Sequence, residues 1–211
     1  MKIQSLSYYL NNKSPVYGGY PEKINIKSAR KISNGDTTNE MTLSFNNHVS
    51  THIDFPKHFS ENGKTINDYD ASFWVFKNVG FLNCSLEDIE KNLNRLDNNI
   101  EILILKTDFG AIRGSEQYWK SQPVIPSRLA SVFKNKFKKL RAFGFDLISL
   151  TSKLDREEGK RAHVEFLIKN DILIIEDMSL SRLKKTPKMV VVSPLLIDSA
   201  DGVPCNILSF S

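Results

Sequence analysis

Residues 46–59 read NNHVSTHIDFPKHF and hold three of the chain's four histidines, His48, His52 and His58, together with Asp54. β-Branched residues alternate with the polar ones, and Pro56 opposes a helix through the segment. We therefore predict an extended segment, in which side chains at every second position share a face. The predicted polar face holds His48, Ser50, His52, Asp54, Pro56 and His58, and the apolar face holds Val49, Thr51, Ile53 and Phe55.

This polar face carries the side chains of a divalent-metal site. Neutral imidazole nitrogens suit Zn, Fe or Mn, and a carboxylate can bridge two ions. The chain has two cysteines, Cys84 and Cys205, and neither has a second soft ligand nearby in sequence. A metal site is therefore expected to use histidine and carboxylate ligands. The alternative interpretation is a chance cluster of surface or hydrogen-bonded histidines.

The bulk composition is that of an ordinary globular domain. The 211 residues are 40% hydrophobic and 25% charged, with a formal net charge of +5. No apolar stretch approaches the roughly 20 residues that span a bilayer, and the N-terminus lacks a signal-peptide pattern. We expect a cytoplasmic protein with reduced cysteines and no membrane partner. Basic residues cluster at 134–141 and 181–188, but without a recognised nucleic-acid module, so a solvated helix face and a basic loop are favoured over nucleic-acid binding.

Apolar patterns predict strands first and then helices alternating with strands. Extended patterns cover 2–10, 23–32 and 41–45, and one or two strands are expected in 73–82. A capping box at Ser85 and Asp88 predicts a helix whose apolar positions continue to Leu96. The remaining predicted elements are strand 101–107, a helix from Pro126, strand 142–150, helix 156–169 and strands 172–180, 189–197 and 205–210. This order predicts a mixed α/β or α+β domain with a central sheet.

The stretch HVSTHIDFPKHF (48–59) resembles the HxGTHxDxPxHF signature of the cyclase superfamily, which includes bacterial kynurenine formamidases, isatin hydrolases and related metal-dependent hydrolases. Four further segments resemble that family in the same order. They are SPVYGGYP (14–21), FGFDLISLTS (143–152), AHVEFLIKNDILIIEDMSL (162–180) and SPLLIDSADGVPCNIL (193–208). The first motif is specific and the others are persuasive together, so the resemblance covers nearly the whole chain.

The resemblance implies roles for individual side chains. His58 matches the family's proton donor and acceptor, and Tyr17 matches an aromatic residue that lines the substrate pocket. Phe59 and Trp74 are further aromatic candidates for stacking on a substrate, without support from the family pattern. Asp54 and Glu176 match carboxylates that bridge two ions. The implied metal ligands are His48, His52, Asp54, His163 and Glu176.

The chain departs from the family pattern at several positions. Ser50 replaces the glycine of HxGTH, where glycine can allow an unusual dihedral angle or close backbone approach. Gly18 and Tyr20 alter the loop that resembles PVYPGDP, so a different substrate loop is expected. The spacing from His163 to Glu176 is about one residue longer than the resemblance predicts. Asp177 and Glu165 are the alternatives to Glu176 as the second carboxylate.

The resemblance implies one domain over residues 1–211, of a swivelling β/β/α type with a central mixed sheet and flanking helices. It implies a hydrolase of a C–N amide bond, with an arylformamide such as N-formylkynurenine as the first substrate. A cyclic amide or lactone hydrolase, a metal-dependent cyclase or dehydratase, and a non-catalytic binding protein remain alternatives. The expected cofactor is one or two Zn ions, with Mn as the second choice, and the expected assembly is a homodimer.

Overall fold

The computed structural model describes residues 2–19 and 24–211, and eleven β-strands are found in these ranges. In chain order they are β1 (Ile3–Ser5), β2 (Ile24–Arg30), β3 (Glu40–Phe45), β4 (His52–Asp54), β5 (Val75–Phe76), β6 (Val79–Asn83), β7 (Ile102–Lys106), β8 (Ala142–Phe145), β9 (Leu173–Glu176), β10 (Met189–Pro194) and β11 (Gly202–Phe210). The α-helices are α1 (Ile89–Leu93), α2 (Gln117–Lys120), α3 (Leu129–Lys136) and α4 (Arg156–His163).

Nine strands form one mixed sheet in the order β5-β10-β11-β4-β9-β8-β7-β6, with β1 also paired to β11. Strands β6 to β9 run parallel, and the connections between them carry α1, α2, α3 and α4, as parallel crossovers require. The pairings from β9 through β4, β11 and β10 to β5 are antiparallel. The predicted mixed α+β domain with a central mixed sheet is confirmed.

The sheet is nearly closed. Its two end strands, β5 and β6, are separated in sequence only by Lys77 and Asn78. The connection between them spans about 10 Å at most, so the two edges lie close together. Both backbone N–H groups of this connection donate to Glu101 Oε2, at 2.7 and 3.0 Å, and the other carboxylate oxygen of Glu101 accepts from Arg141 at 3.2 Å. The corner between the two edges is therefore fixed by hydrogen bonds.

The hydrophobic core surrounds the parallel strands. All four residues from Ile102 to Leu105 on β7 are fully buried, as expected for a parallel strand covered on both faces. Phe133 of α3 packs against Phe143 of β8 and Phe166, with ring centroids 5.2 and 6.0 Å away. The helix predicted from Pro126 is α3, which begins at Leu129 and ends at Lys136, and Leu129, Phe133, Phe137 and Leu140 are buried in this core. This core supports the strands that carry the candidate site.

Several predicted elements differ from the structure in length. The helix expected after Ser85 is a 3-10 turn followed by the five residues of α1. The Ser85 hydroxyl donates to the Asp88 carboxylate and does not cap the backbone. The segment 2–10 contributes only β1, and 73–82 contains two strands, as anticipated. The predicted helix 156–169 is continuous, but after α4 it becomes a π-helical turn, Val164–Lys169.

Strands β2 and β3 form a separate two-stranded sheet. Most of its side chains are exposed, including Met41 and Leu43, which are 65% and 58% exposed. Lys23, the first residue of the predicted strand 23–32, lies outside the described residues. Cys84 and Cys205 are both free thiols, as predicted. Within the described ranges, no helix has the length and apolar character needed to cross a membrane.

Candidate metal centre and active site

Four donor side chains from three elements meet at one buried point. His52 and Asp54 lie two residues apart on β4, so they project from the same face of that strand. The antiparallel register places His52 opposite Glu176, the last residue of β9. His163 comes from the last position of α4. All four residues are at most 4% exposed, so the donors meet away from bulk solvent.

The two imidazoles and the two carboxylates alternate around this point. His52 Nε2 lies 3.5 Å from Asp54 Oδ1 and 3.4 Å from Glu176 Oε2. His163 Nε2 lies 3.7 Å from Asp54 Oδ2 and 3.5 Å from Glu176 Oε1. Each carboxylate thus directs one oxygen toward each histidine. These distances are too long for strong hydrogen bonds, and they leave a small polar space between the donors.

Backbone carbonyl groups fix the orientation of both imidazoles. His52 Nδ1 donates to the Ser50 carbonyl at 2.8 Å, and His163 Nδ1 donates to the Gly159 carbonyl at 2.8 Å. In a neutral histidine the Nε2 atom is then left without a proton. Each Nε2 atom is therefore the nitrogen that faces the carboxylates and can take either a proton or a metal ion, which is the arrangement that metal-ligating histidines adopt.

The donor set fits a divalent cation. Two ligand atoms that are each about 2.1 Å from a tetrahedral ion lie about 3.4 Å apart, close to the distances between donors here. Burial opposes protonation of both imidazoles, but the carboxylates of Glu176 and Asp54 raise the pKa of His52 and of His163 to about 9. The negative potential of the two carboxylates, which favours protons on these nitrogens, also attracts a metal cation. A set of imidazole and carboxylate ligands suits Zn or Mn.

Glu176 is further held by the segment between β8 and α4. Its Oε1 atom accepts hydrogen bonds from the Ser149 hydroxyl at 3.2 Å and from the Leu150 N–H at 2.5 Å. Burial alone would raise the pKa of Glu176, as would the charge of Asp54, but the neighbouring imidazoles of His163 and His52 lower it. The pKa of Asp54 is likewise lowered well below its usual value, because the imidazoles of His163 and His48 outweigh the effect of burial. Both carboxylates are ionised at neutral pH.

A second group of donors shares Asp54 with the first. His48, Asp54 and His58 each place one ligand atom within 4.8 Å of the others, as do His52, Asp54 and Glu176. His48 Nδ1 is 2.8 Å from Asp54 Oδ1. The rings of His48 and His58 stack with centroids 3.9 Å apart and an angle of 28° between planes. Asp54 therefore lies between two clusters of possible ligands.

The prediction of one extended segment from His48 to His58 is wrong outside β4. Ser50 has a positive φ of 55°, which turns the chain before the strand. After the strand, Pro56 begins a 3-10 turn, Pro56–His58, because its fixed φ suits the first position of a helix. His48 and His58 therefore reach the site through turns. The predicted apolar face does hold within the segment, since Ile53 and Phe55 are fully buried.

A cavity of about 320 Å³ opens onto these histidines. Tyr17 lines it, and its hydroxyl is buried without a hydrogen-bond partner among the described residues. Phe59 also lines it and stacks on His163, with ring centroids 4.3 Å apart. Trp74 does not reach the cavity: it is buried in the core against Phe55. The expectation that Trp74 could stack on a substrate is therefore wrong.

The two alternatives to Glu176 are engaged elsewhere. Asp177 is buried and forms a bidentate ion pair with Arg113, with nitrogen–oxygen distances of 2.6 to 3.0 Å, and it accepts from the Tyr118 hydroxyl at 2.7 Å. Glu165 pairs with Lys169 at 2.6 Å on the helix surface. The structure thus brings Glu176 to the donor cluster and directs the other two carboxylates away from it.

Three positions at which the chain departs from the family pattern are Ser50, Gly18 and Tyr20. Ser50 occupies left-handed backbone, where glycine is the least strained residue, and its hydroxyl accepts from Arg113 Nη2 at 3.3 Å. Gly18 also has a positive φ, of 88°. Tyr20, the other change in that loop, lies outside the described residues.

Sequence reasoning assigned no role to Asp201 or Asn47. Asp201 Oδ2 lies 3.0 Å from His48 Nε2 and 3.0 Å from His58 Nδ1, and Asp201 Oδ1 accepts from Asn47 Nδ2 at 2.6 Å. The signal was present in the DGVP segment that begins at Asp201, which resembles the closing motif of the family. A carboxylate followed by glycine just before a strand does not by itself indicate a site residue.

A nearly closed mixed sheet with a buried cluster of histidines and carboxylates defines a class of proteins with a candidate metal centre inside an α+β domain. Within this class, the chain belongs to the cyclase family. Residues 4–152 match the family model described as "Putative cyclase". This range contains His48, His52, Asp54 and His58.

Known proteins resemble the chain over nearly its whole length. A kynurenine formamidase of Bacillus cereus is 28% identical over 202 residues, which cover 94% of this chain and 92% of that protein. The fold resembles a solved structure described as a potential metal-dependent hydrolase with cyclase activity, with a TM-score of 0.75, 22% identity, and coverage of 99% and 96% of the two chains. It also resembles isatin hydrolase A from Labrenzia aggregata, with a TM-score of 0.80, 17% identity, and coverage of 99% and 93%.

Proposed function

We propose that this chain is a metal-dependent hydrolase that cleaves a C–N amide bond, with an aryl formamide of the N-formylkynurenine type as its substrate. The observation that carries the proposal is the meeting of two imidazole Nε2 atoms and two ionised carboxylates beside a further histidine on the cavity wall. Membership of the cyclase family supports this proposal, as does the similarity to a kynurenine formamidase.

The residues that would hold the metal are His48, His52, Asp54, His163 and Glu176. A divalent ion at such a site supplies Lewis acidity, which polarises a carbonyl group and lowers the pKa of a water molecule to about 7. Each of the two carboxylates directs its two oxygens to different imidazoles, which supports a site for one or two ions, with Zn as the first choice and Mn as the second.

His58 is proposed as the residue that moves the proton. Burial, the largest influence, lowers the pKa of His58 from its ordinary value, so the neutral imidazole predominates at neutral pH. Its Nδ1 faces Asp201, which leaves Nε2 as the nitrogen free to act in the cavity. A neutral imidazole can accept the proton of the attacking water and then deliver it to the leaving nitrogen.

The cavity fits a small flat substrate. Its volume of about 320 Å³ is at the lower end of the range for small-molecule sites. Val16, Ile148 and the Phe59 ring supply apolar walls. Burial raises the pKa of Tyr17, although Arg156 opposes this shift, so the hydroxyl stays protonated and can donate to a polar atom of the substrate. The aryl ring of such a substrate can pack against the apolar walls, while its amide group accepts a hydrogen bond from Tyr17.

The alternative functions of this site can be distinguished by which compounds the protein converts. A cyclic amide hydrolase would open an isatin-type ring and leave open-chain formamides intact. A cyclase or dehydratase would hydrolyse neither compound but would convert a biosynthetic intermediate, and a binding protein would turn over nothing. We also propose a homodimer, which the mass of the purified protein by light scattering tests.

The first experiment measures metal per chain by elemental analysis, on protein purified without chelator, for the wild type, His52→Ala and His58→Ala. We expect one or two equivalents of Zn in the wild type, a loss of metal in His52→Ala, and full metal with lost turnover in His58→Ala. Turnover is measured with N-formylkynurenine, other aryl formamides and isatin.

Glu165→Gln serves as the matched control, because Glu165 carries a carboxylate outside the donor cluster. Wild-type protein without metal after reconstitution would refute the metal centre. Full metal and full activity in both histidine variants would refute the assigned roles. Metal without hydrolysis of any amide on the panel would refute the proposed reaction but leave the metal centre intact.

A further inference from the structure

One oxygen atom of Asp201 lies between two imidazoles. Oδ2 is 3.0 Å from His48 Nε2 and 3.0 Å from His58 Nδ1. The two rings stack with centroids 3.9 Å apart, so the oxygen meets the edges of two nearly parallel rings. Both distances are those of hydrogen bonds to an ionised acceptor. A single carboxylate oxygen therefore fixes the relative position of a proposed metal ligand and the proposed proton carrier.

The other oxygen of Asp201 is also held. Oδ1 accepts from Asn47 Nδ2 at 2.6 Å, and the same amide group donates to the Gly202 carbonyl at 3.0 Å. The backbone carbonyl of Asp201 accepts from the Phe55 N–H at 2.9 Å. The carboxylate is thus oriented from both ends, while its backbone is tied to the residue that follows β4. A change of the side chain leaves the backbone anchor in place.

The chemistry of these groups sets the proton positions. An ionised carboxylate accepts hydrogen bonds and donates none, so the nitrogen of each histidine that faces Asp201 must carry the proton. For neutral His58 this selects the Nδ1–H form and leaves Nε2 bare. Within the described residues, Nε2 of His58 makes no hydrogen bond of its own, and the imidazole lines the cavity. The tautomer selected by Asp201 is therefore the one that can accept a proton from the cavity.

We propose that Asp201 is a positioning residue, which holds His58 in the Nδ1–H tautomer with Nε2 directed to the cavity and keeps its ring stacked on His48. The role of the positioned nitrogen in turnover rests on the proposed function, whereas the tautomer itself does not. Because the carboxylate partners of histidines at metal sites typically contribute tenfold to hundredfold to metal affinity or activity, loss of Asp201 should lower kcat by about that factor. The substrate does not contact Asp201 in this proposal, so KM should change by less than about threefold.

The test reads the tautomer directly. Long-range ¹H–¹⁵N NMR spectra of the full-length, zinc-loaded protein, labelled at the histidine nitrogens, are recorded at a pH where His58 is neutral, with His58→Ala to assign the signals. In the wild type we expect His58 with a protonated Nδ1 and a bare Nε2. In Asp201→Ala we expect loss of that preference, with protonation shifting to Nε2. In Asp201→Glu, which keeps a carboxylate acceptor, we expect partial return of the Nδ1–H form.

Asp198→Ala is the matched control. Asp198 is a carboxylate in the same loop, and it accepts from Asn67 at 2.7 Å instead of from a histidine. A wild-type His58 protonated at Nε2 would overturn the proposal even if Asp201→Ala failed to fold. An unchanged tautomer in folded Asp201→Ala would also overturn it. The spectra need no substrate, so failure of the formamidase assignment and failure of this inference are separate results.

Discussion

His52 and Glu176 face each other across the antiparallel pair of β4 and β9, with Nε2 and Oε2 3.4 Å apart. Both are buried, and their strands have little freedom to slide, because a shift of one residue would reverse which face each side chain occupies. The register of a central pair of strands therefore sets the distance between two proposed metal ligands. Substitutions at four positions test this register and the neighbouring contacts.

Replacement of Glu176 should remove metal with little change in fold. Glu176→Gln keeps the shape of the side chain but loses the negative charge that faces both imidazoles. We expect metal affinity to fall by about 100-fold or more, which is beyond the range for residues that only support ligands. Competition with a coloured chelator measures the affinity. Glu165→Gln, on the helix surface, should bind metal as the wild type does, and equal affinities for the two variants would reject the ligand role.

Gly202 lies directly against the His48 imidazole. A Cβ atom at this position would be 2.3 Å from His48 Cε1, which is far inside van der Waals contact. Gly202→Ala should push the ring away from Asp54 and Asp201 and lower the content of a second metal ion, with activity reduced about tenfold to hundredfold. Gly114→Ala is the control, since a Cβ there meets no atom within 4 Å. Unchanged metal content in Gly202→Ala would contradict the role of His48.

Ser50 tests the strained turn before β4. Its φ of 55° is costly for a branched side chain, so Ser50→Val should destabilise the protein by about 2 kcal/mol. Ser50→Gly should stay within about 1 kcal/mol of the wild type, because relief of strain offsets the added freedom of the unfolded chain. Urea denaturation measures both. Ser44→Val, in exposed strand β3, is the control, and equal losses for the two valine variants would argue against strain at residue 50.

Stability of the metal-free protein should fall as the pH rises above 7. The pKa values of His52 and His163 are raised to about 9, above the ordinary value near 6.5, so the folded state binds more protons than the unfolded state between these values. Their contribution is complete below pH 6.5 and is lost as the pH passes 9. We expect the free energy of unfolding of chelator-treated protein to fall by more than about 1 kcal/mol between pH 7 and 9.5.

Carboxylates cannot produce this trend, because they are ionised in both states above pH 7. His163→Gln should make the slope shallower, since it removes one of the two histidines. Saturation with Zn should remove the decline, because an ion then occupies the place of the protons. A metal-free protein whose stability is constant or rises over this range would show that the imidazoles are not held beside ionised carboxylates.

The sequence predicts the candidate metal ligands that lie close together in a recognisable local pattern. It is less informative about site residues that only tertiary contacts bring together. Histidine spacing drew attention to His48, His52 and His58, and the structure brings them together. The extended conformation held only for β4, because alternation cannot reveal the positive φ of Ser50. Asp201 was overlooked because its partners lie more than a hundred positions earlier in the chain.

The spacing between His163 and Glu176 also has a physical account. The π-helical turn Val164–Lys169 follows His163 directly, and a π turn takes up one more residue than an α turn. This provides room for the longer spacing while β9 still presents Glu176 opposite His52. Sequence periodicity predicts a helix here but cannot distinguish one hydrogen-bonding pattern from the other. The prediction that Trp74 could stack on a substrate was wrong for a related reason. The sequence shows an aromatic side chain but does not show whether it lies in the core or beside a cavity.

The candidate centre draws its donors from β4, α4 and β9, and about half of the chain separates β4 from the other two. A small zinc module gathers its ligands from a short segment, and the ion can drive its folding. Here the long loops must close before the full donor set exists, so an ion cannot nucleate the fold. It would instead stabilise a finished domain by mass action, by about 4 kcal/mol at a thousandfold excess over its Kd. When metal is scarce, the chain should therefore accumulate as a folded apoprotein rather than as unfolded material.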